Sequence, residues 1–327
     1  MLEQISEEII KRLKHPAWEQ RFLAAKRFSP TSGKHDFESL PHVRQTEISK
    51  LLIELLNDEQ SQVRMQAANA LGNIGFREAI DPLINALADP NDWVRVQIVD
   101  AIGKLGNPFT AKVLAQHLES EEEPHVRATL VKALGKIGDE NIAPLLIVYL
   151  EDLDNRVRAN CVEALAQLKI GKASLKTAFM KLVDDQSNRV RANVAMALVS
   201  MGEDKGREIL VSMLSSKNEF MRASAAYAFG EIGQSEDRME IIKLLGDSSL
   251  MVRKNAIKAL AKHGVKAIPD LFHALCVTDP MIKLGALEVL GDLKDPSARQ
   301  PIISLLENES GEVRSKAEEV LDLLDGF

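Results

Sequence analysis

A valine-arginine pair returns along the chain at an almost constant interval. It stands at Val63-Arg64, Val94-Arg95, Val126-Arg127, Val157-Arg158, Val190-Arg191, Val252-Arg253 and Val313-Arg314, with Met221-Arg222 and Ile282-Lys283 as softer copies. The basic residues are spaced 31, 32, 31, 33, 31, 31, 30 and 31 apart. A register held across nine copies makes the chain an array of one small unit rather than a fold built around one central core. A tenth, degenerate copy stands at Gln20-Arg21, 43 residues before Arg64. The excess of about 12 residues over the period places a single insertion near residues 29–42.

Each unit reads as two helices. From Val94, the apolar residues Ile98, Ala101, Ile102 and Leu105 follow at steps of 4, 3, 1 and 3, which is one helical face. That second helix ends in glycine, as in Ala133-Leu134-Gly135-Lys136-Ile137-Gly138. Gly75, Gly106, Gly138, Gly202, Gly233 and Gly264 are predicted to close it in the left-handed conformation. Entry is predicted at Asp89-Pro90, an N-cap followed by a first-turn proline, and at the capping box Ser216-Lys217-Asn218-Glu219. The first helix is shorter, over 79–87, 142–150 and 267–275. Pro82, Pro144, Pro269 and Pro301 fall in its first turn, where a missing N–H costs little. Two short helices cannot bury their apolar faces alone, whereas stacked pairs can. At 45% hydrophobic, 27% charged and only 4% aromatic, the composition suits such helices.

The combined pattern is an Asp-Pro-type entry, Val-Arg, Ala-Leu-Gly-x-Ile-Gly, then Ala-Ile-x-x-Leu. It resembles the short HEAT repeat of the phycobilisome-lyase type, in the armadillo-like superfamily. The resemblance covers nearly the whole chain. It implies an all-α fold, a right-handed α-α superhelix of about ten two-helix repeats of about 31 residues. On this reading residues 1–327 form a single solenoid. A degenerate first repeat spans 1–28, an inserted loop 29–42, regular repeats 43–296 and a C-terminal capping repeat 297–327. The charged last helix, "EVRSKAEEVLDLLDGF", suits an end with no further neighbour.

The repeated arginines Arg64, Arg95, Arg127, Arg158, Arg191, Arg222 and Arg253 invite two readings. One is a basic stripe for phosphates. The other is a structural ladder, because Asp58, Asp89, Asp152, Asp185 and Asp247 each stand five residues before a repeat valine. Opposite charges in fixed register favour the ladder. Function then belongs to what varies. Counting the valine as zero, positions 3, 6 and 10 lie opposite the apolar face. The resemblance implies that second helices line the concave, partner-binding side.

Position 3 is polar throughout, with Gln66, Gln97, Thr129, Asn160, Asn193, Ser224 and Asn255, and serves either the ladder or a ligand. Lys104, Lys132 and Lys136 form a basic cluster, Met196 and Tyr227 a less charged centre, and Lys254, Lys258 and Lys262 a second basic cluster. The expected contacts are Gln97, Lys104, Lys132, Lys136, Asn160, Asn193 and Tyr227. A secondary candidate is the edge where Trp93, Phe220 and Met251 precede the anchor. The insertion, with its preceding helix, holds Trp18, Phe22, Phe28 and Phe37, and either seals the end or serves a partner.

No catalytic, cofactor or metal constellation stands out. Deoxyhypusine hydroxylase, an enzyme of this fold, holds two irons on His-Glu pairs. None of the seven histidines here is followed by glutamate. Net charge is −7, which counts against nucleic acid and against the HEAT-like DNA glycosylases. No motif singles out bilin chemistry, so a phycobilin lyase-like role and a nucleic-acid role remain alternatives. The expected function is a non-catalytic scaffold or adaptor for a partner protein. Two cysteines far apart, Cys161 and Cys276, and no apolar run of membrane-spanning length fit a cytoplasmic protein.

Overall fold

The computed structural model describes residues 2–28, 33–168, 170–309 and 311–325. The chain is an all-α solenoid of helical repeats, and among the described residues there is no strand. It divides into two compact units, Met1–Ala178 and Phe179–Phe327.

Unit 1 carries α1 (Leu2–Leu13), α2 (Trp18–Lys26), α3 (Gly33–Glu38), α4 (His42–Glu54), α5 (Ser61–Ile74), α6 (Ile80–Asn85), α7 (Asp92–Leu105), α8 (Ala111–Ser120), α9 (Pro124–Ile137), α10 (Ala143–Val148) and α11 (Asn155–Gln167). The boundary falls within α12 (Lys172–Met180). Unit 2 continues with α13 (Asn188–Met201), α14 (Asp204–Leu214), α15 (Glu219–Ile232), α16 (Arg238–Lys243), α17 (Leu250–His263), α18 (Ile268–Leu275), α19 (Pro280–Leu293), α20 (Arg299–Asn308) and α21 (Gly311–Asp325).

The second helices do most of the stacking, α5 on α7, α7 on α9 and α9 on α11 in unit 1, and α15 on α17 in unit 2. Their apolar face is the core. Val94, Ile98, Ala101 and Ile102 are buried, as are the equivalent Val126, Leu130, Ala133 and Leu134. Close stacking depends on a glycine in mid-helix, a feature the sequence reading passed over. A Cβ on Gly72 would lie 2.7 Å from the Ala101 backbone, and one on Gly135 or Gly230 would lie 2.7 Å from the Cβ of Ala164 or Ala259. The middle glycine of each Ala-Leu-Gly-x-Ile-Gly word thus admits the alanine of the next repeat.

The terminal glycines Gly75, Gly106, Gly138, Gly202 and Gly233 take the left-handed conformation and close their helices. Gly264 does not. Its φ is positive at 63° but its ψ is −148°, and a 3-10 turn over Gly264–Ala267 follows directly. In the ninth repeat Lys294 holds the left-handed position, with φ 51° and ψ 34°. A Cβ is strained there, so Lys294→Gly is expected to raise stability by about 1 kcal/mol, read as a higher Tm.

Two predicted helix entries shift along the chain. Asn91, not Asp89, caps α7 by accepting the Val94 N–H, and Asn218, not Ser216, caps α15 by accepting the Phe220 N–H. Asp89 and Ser216 lie two residues earlier, where each accepts the N–H of the residue that does the capping.

In the first repeat, Arg21 bridges to Asp58 37 residues away, where Arg64 and Asp89 are 25 apart. The inserted stretch lies between Arg21 and Asp58. Residues 29–32 of it fall outside the described residues. The rest forms α3, packed on α5, and the turn into α4. Phe28 and Phe37 are buried and meet edge to face at 5.7 Å. Asn73 of α5 donates to the Phe28 carbonyl. These aromatics therefore serve packing at this end of unit 1.

Candidate partner-binding surface

The shared residues hold the repeats to each other. Arg64 presents Nε and one terminal nitrogen to both oxygens of Asp89 in the next repeat, at 2.6 and 2.9 Å. Its other terminal nitrogen donates to the carbonyls of Asp58 and Glu59 in its own turn. Arg21 with Asp58, Arg95 with Glu121, Arg127 with Asp152 and Arg222 with Asp247 repeat this fork. Arg158 donates to the carbonyls of Asp152 and Leu153. The carboxylates also order the turn, since Asp58, Asp89 and Asp247 each accept the N–H two residues on. The Arg222 fork, opposed by burial, holds Asp247 below the usual carboxylate range. At Asp58 and Glu121 burial pulls upward most strongly, yet the arginine and a backbone N–H together leave both lowered.

Two expected rungs lack their acid. Among the described residues Arg253 makes no ion pair and donates only to the carbonyls of Asp247 and Ser248. Arg191 also makes none, and its Nε is buried without a hydrogen-bond partner. Ser216 stands where the register calls for its aspartate.

Two residues of the polar column at position 3 form a second kind of stitch. Asn160 is buried and donates its amide to the Ala128 carbonyl at 2.7 Å, and Asn255 donates to that of Ala223 at 2.9 Å. Thr129 turns back onto its own helix at the His125 carbonyl. Asn160 thus makes an inter-repeat bond and also lines the crevice beside Lys132 and Lys136. At Asn160 and Asn255 the side chain points along the stack, where the preceding repeat offers a carbonyl. Gln97 and Asn193 are half-buried on α7 and α13.

Lys104 is exposed, but its ammonium is engaged, 2.6 Å from Asp100 and 2.9 Å from Asn73. Lys262 likewise bridges to Glu231 of the neighbouring helix. Lys132 and Lys136 are exposed and share with Asn160, Glu163 and Gln167 a crevice of about 150 Å³ between α9 and α11. Tyr227 is 54% exposed on α15 in unit 2.

On the second helices of unit 2 a groove of about 320 Å³ lies over α17, α19 and α21. Leu250, Ile257, Met281 and Leu284 line its floor, and Arg253, Lys254, Glu288, Glu312 and Lys316 its rim. Leu250 is 56% exposed and Met281 39%, so the groove presents large apolar side chains to solvent.

The edge preceding the anchors is also apolar, with Trp93, Phe220 and Met251 exposed. Trp93 stacks on His125 at 4.8 Å, and the His125 Nε2 lies 2.9 Å from Asp92. Asp92, Glu123 and His125 offer ligand atoms within 4.8 Å of one another. One imidazole and two carboxylates could hold a divalent cation, although half-exposed carboxylates of this kind are common without one.

The pattern of HEAT repeats matches over residues 48–124, 111–183, 175–248 and 238–322. The chain belongs to the HEAT-repeat family. Several solved structures are similar to it over most of their length. An engineered protein is 21% identical, with a TM-score of 0.42 and 98% of each chain covered. The CpcE–CpcF complex of phycocyanin lyase from Nostoc sp. PCC7120 is 20% identical, with a TM-score of 0.47 and 98% of this chain and 94% of that one covered. YibA of Escherichia coli is 18% identical, with a TM-score of 0.47 and 88% of this chain and 95% of that one covered. No curated protein matches. No helix among the described residues is long and apolar enough to cross a membrane.

Sequence reasoning missed the groove of this HEAT chain, because its floor draws on two columns that were not read together. Leu250 stands two residues before its repeat's valine and Met281 one before its isoleucine. The signal was there in the run Phe220, Leu250, Met251, Met281, where earlier repeats carry charged or polar residues at most of these positions.

Proposed function

We propose that the chain is a non-catalytic interaction scaffold that takes an amphipathic segment of a partner protein on the exposed side of its second helices. The observation that carries this reading is the unit 2 groove, with an apolar floor at Leu250, Ile257, Met281 and Leu284 between rims of both charges. Such a floor accepts side chains of one helical face, while mixed rim charge sets register. Gln97, Lys104, Lys132, Lys136, Asn160, Asn193 and Tyr227 are kept as further contacts, and the repeat register supports reading residues 1–327 as one array.

The lysines speak against a phosphate track, since Lys104 and Lys262 are already neutralised by Asp100 and Glu231. Two free cysteines support a cytoplasmic location. Burial pushes the Cys161 thiol well above its ordinary range, which suits an inert core residue.

The test is affinity capture from source-cell lysate, comparing wild type with Leu250→Glu/Met281→Glu and Lys132→Glu/Lys136→Glu variants that still melt cooperatively. A protein retained by wild type and reduced at least about tenfold in the groove variant supports the reading. Equal retention by all three forms, or recovery of a pigment or nucleic acid in place of protein, sinks it.

A further inference from the structure

Among the described residues, Arg191 lacks the acidic partner that closes the other rungs. At five junctions an arginine closes its fork on a carboxylate 25, 26 or 37 residues later, with N···O distances between 2.6 and 3.2 Å. The residue 25 positions after Arg191 is Ser216. Its hydroxyl accepts the Asn218 N–H at 3.2 Å, so the turn is folded as in the carboxylate rungs. A serine nevertheless ends one atom short and offers one oxygen where the fork needs two. The consequence is visible in the Arg191 Nε, buried without a partner. A buried N–H of a charged group left unsatisfied is costly, and an oxyanion supplying the missing lone pairs would recover that cost.

We propose that Arg191, beside the Ser216 turn, is a binding site for a carboxylate that completes the interrupted rung. The loop carrying Ser216 lies between α14 and α15, with Ser215 and Lys217 exposed on either side, so the turn borders solvent. The planar guanidinium fork selects a group with two coplanar oxygens over a spherical halide. The carboxylate is either a free small anion or an acidic side chain of the scaffold's partner. Only the second source rests on the proposed function.

The experiment measures Tm of the full chain in sodium formate against sodium chloride at equal ionic strength. Formate is expected to raise the wild-type Tm by about 2–4 °C over chloride. Ser216→Asp supplies the carboxylate from within. It is expected to melt higher than wild type in chloride and to lose the formate-specific gain. Arg191→Gln is expected to lose that gain without the rise in Tm. Equal formate shifts in wild type and Ser216→Asp would overturn the proposal, as would a Ser216→Asp protein no more stable than wild type. Once the site is established this way, partner capture by Ser216→Asp separates the sources. Reduced capture assigns the carboxylate to the partner, and unchanged capture assigns it to a free anion.

Discussion

Gly135→Val is expected to cost about 2–3 kcal/mol of stability, a drop in Tm of several degrees, although it replaces one small residue on a helix by another of higher hydrophobicity. Gly135 lies on α9 facing Ala164 of α11, and a Cβ there would sit 2.7 Å from the alanine Cβ and 3.0 Å from its Cα. The second of these is backbone, so no rotamer change relieves it, and the two helices must separate. Separation also loosens the buried Leu134 and Leu165, which depend on the close approach for their packing. Gly135→Ala sets two effects against each other. Alanine is favoured over glycine in a helix by about 1 kcal/mol, which offsets part of the clash. Adding Ala164→Gly should remove the Cβ contact and recover most of the loss, so the pair should couple in a double-mutant cycle. Gly171→Ala is the control, because nothing lies within 4 Å of a Cβ there. Equal stability for Gly135→Val and wild type in thermal melts would refute this account of the stacking.

That glycine shows why the fold was legible in the sequence and the surface was not. Helix, face and period follow from residues a few positions apart, such as Val94, Ile98 and Ile102, and from glycines that end helices. The register between Arg64 and Asp89 also shows in the sequence, since both recur at a fixed interval. The role of Gly135 depends on which residue of the next repeat it meets, and only the stack supplies that. The same limit governed position 3. A column of side-chain amides is equally suited to a partner or to a neighbouring carbonyl, and the bond from Asn160 to Ala128, which only the stack supplies, shows the second use at that position. Lys104 looked like an outward charge until Asn73, from the preceding repeat, was placed beside it. Departures from the pattern were readable in principle. Ser216 among aspartates and Lys294 among glycines are visible in an alignment of the repeats, but their meaning rests on the arginine and the backbone angle they leave exposed.

Asp247→Ala is expected to cost about 2–3 kcal/mol, more than an exposed ion pair is worth. The Asp247 and Arg222 side chains are only 9% and 14% exposed, and the carboxylate serves two partners at once. Losing it strands the Arg222 fork and removes the acceptor for the Ser249 N–H that shapes the turn. Asp247→Asn keeps an oxygen for Ser249 and should cost less. Arg222→Met/Asp247→Leu should cost less than the sum of its single changes, since no charge is left unpaired. The rung also sets a pH dependence whose sign is fixed. The folded-state value of Asp247 is depressed, so its contribution is complete above the unfolded value of about 3.9 and is lost as pH falls through the lower folded value. Asp58 and Glu121 are lowered too and act in the same direction. From these rungs, Tm should be flat between about pH 7 and 5 and fall below about pH 4. Asp247→Asn should show a shallower acid limb than wild type in the same melts. An unchanged acid limb would mean that the rungs are not what acid dissolves. Where the repeats are joined by such pairs, as at Arg64, Arg127 and Arg222, the shared charges are already committed to holding the array together.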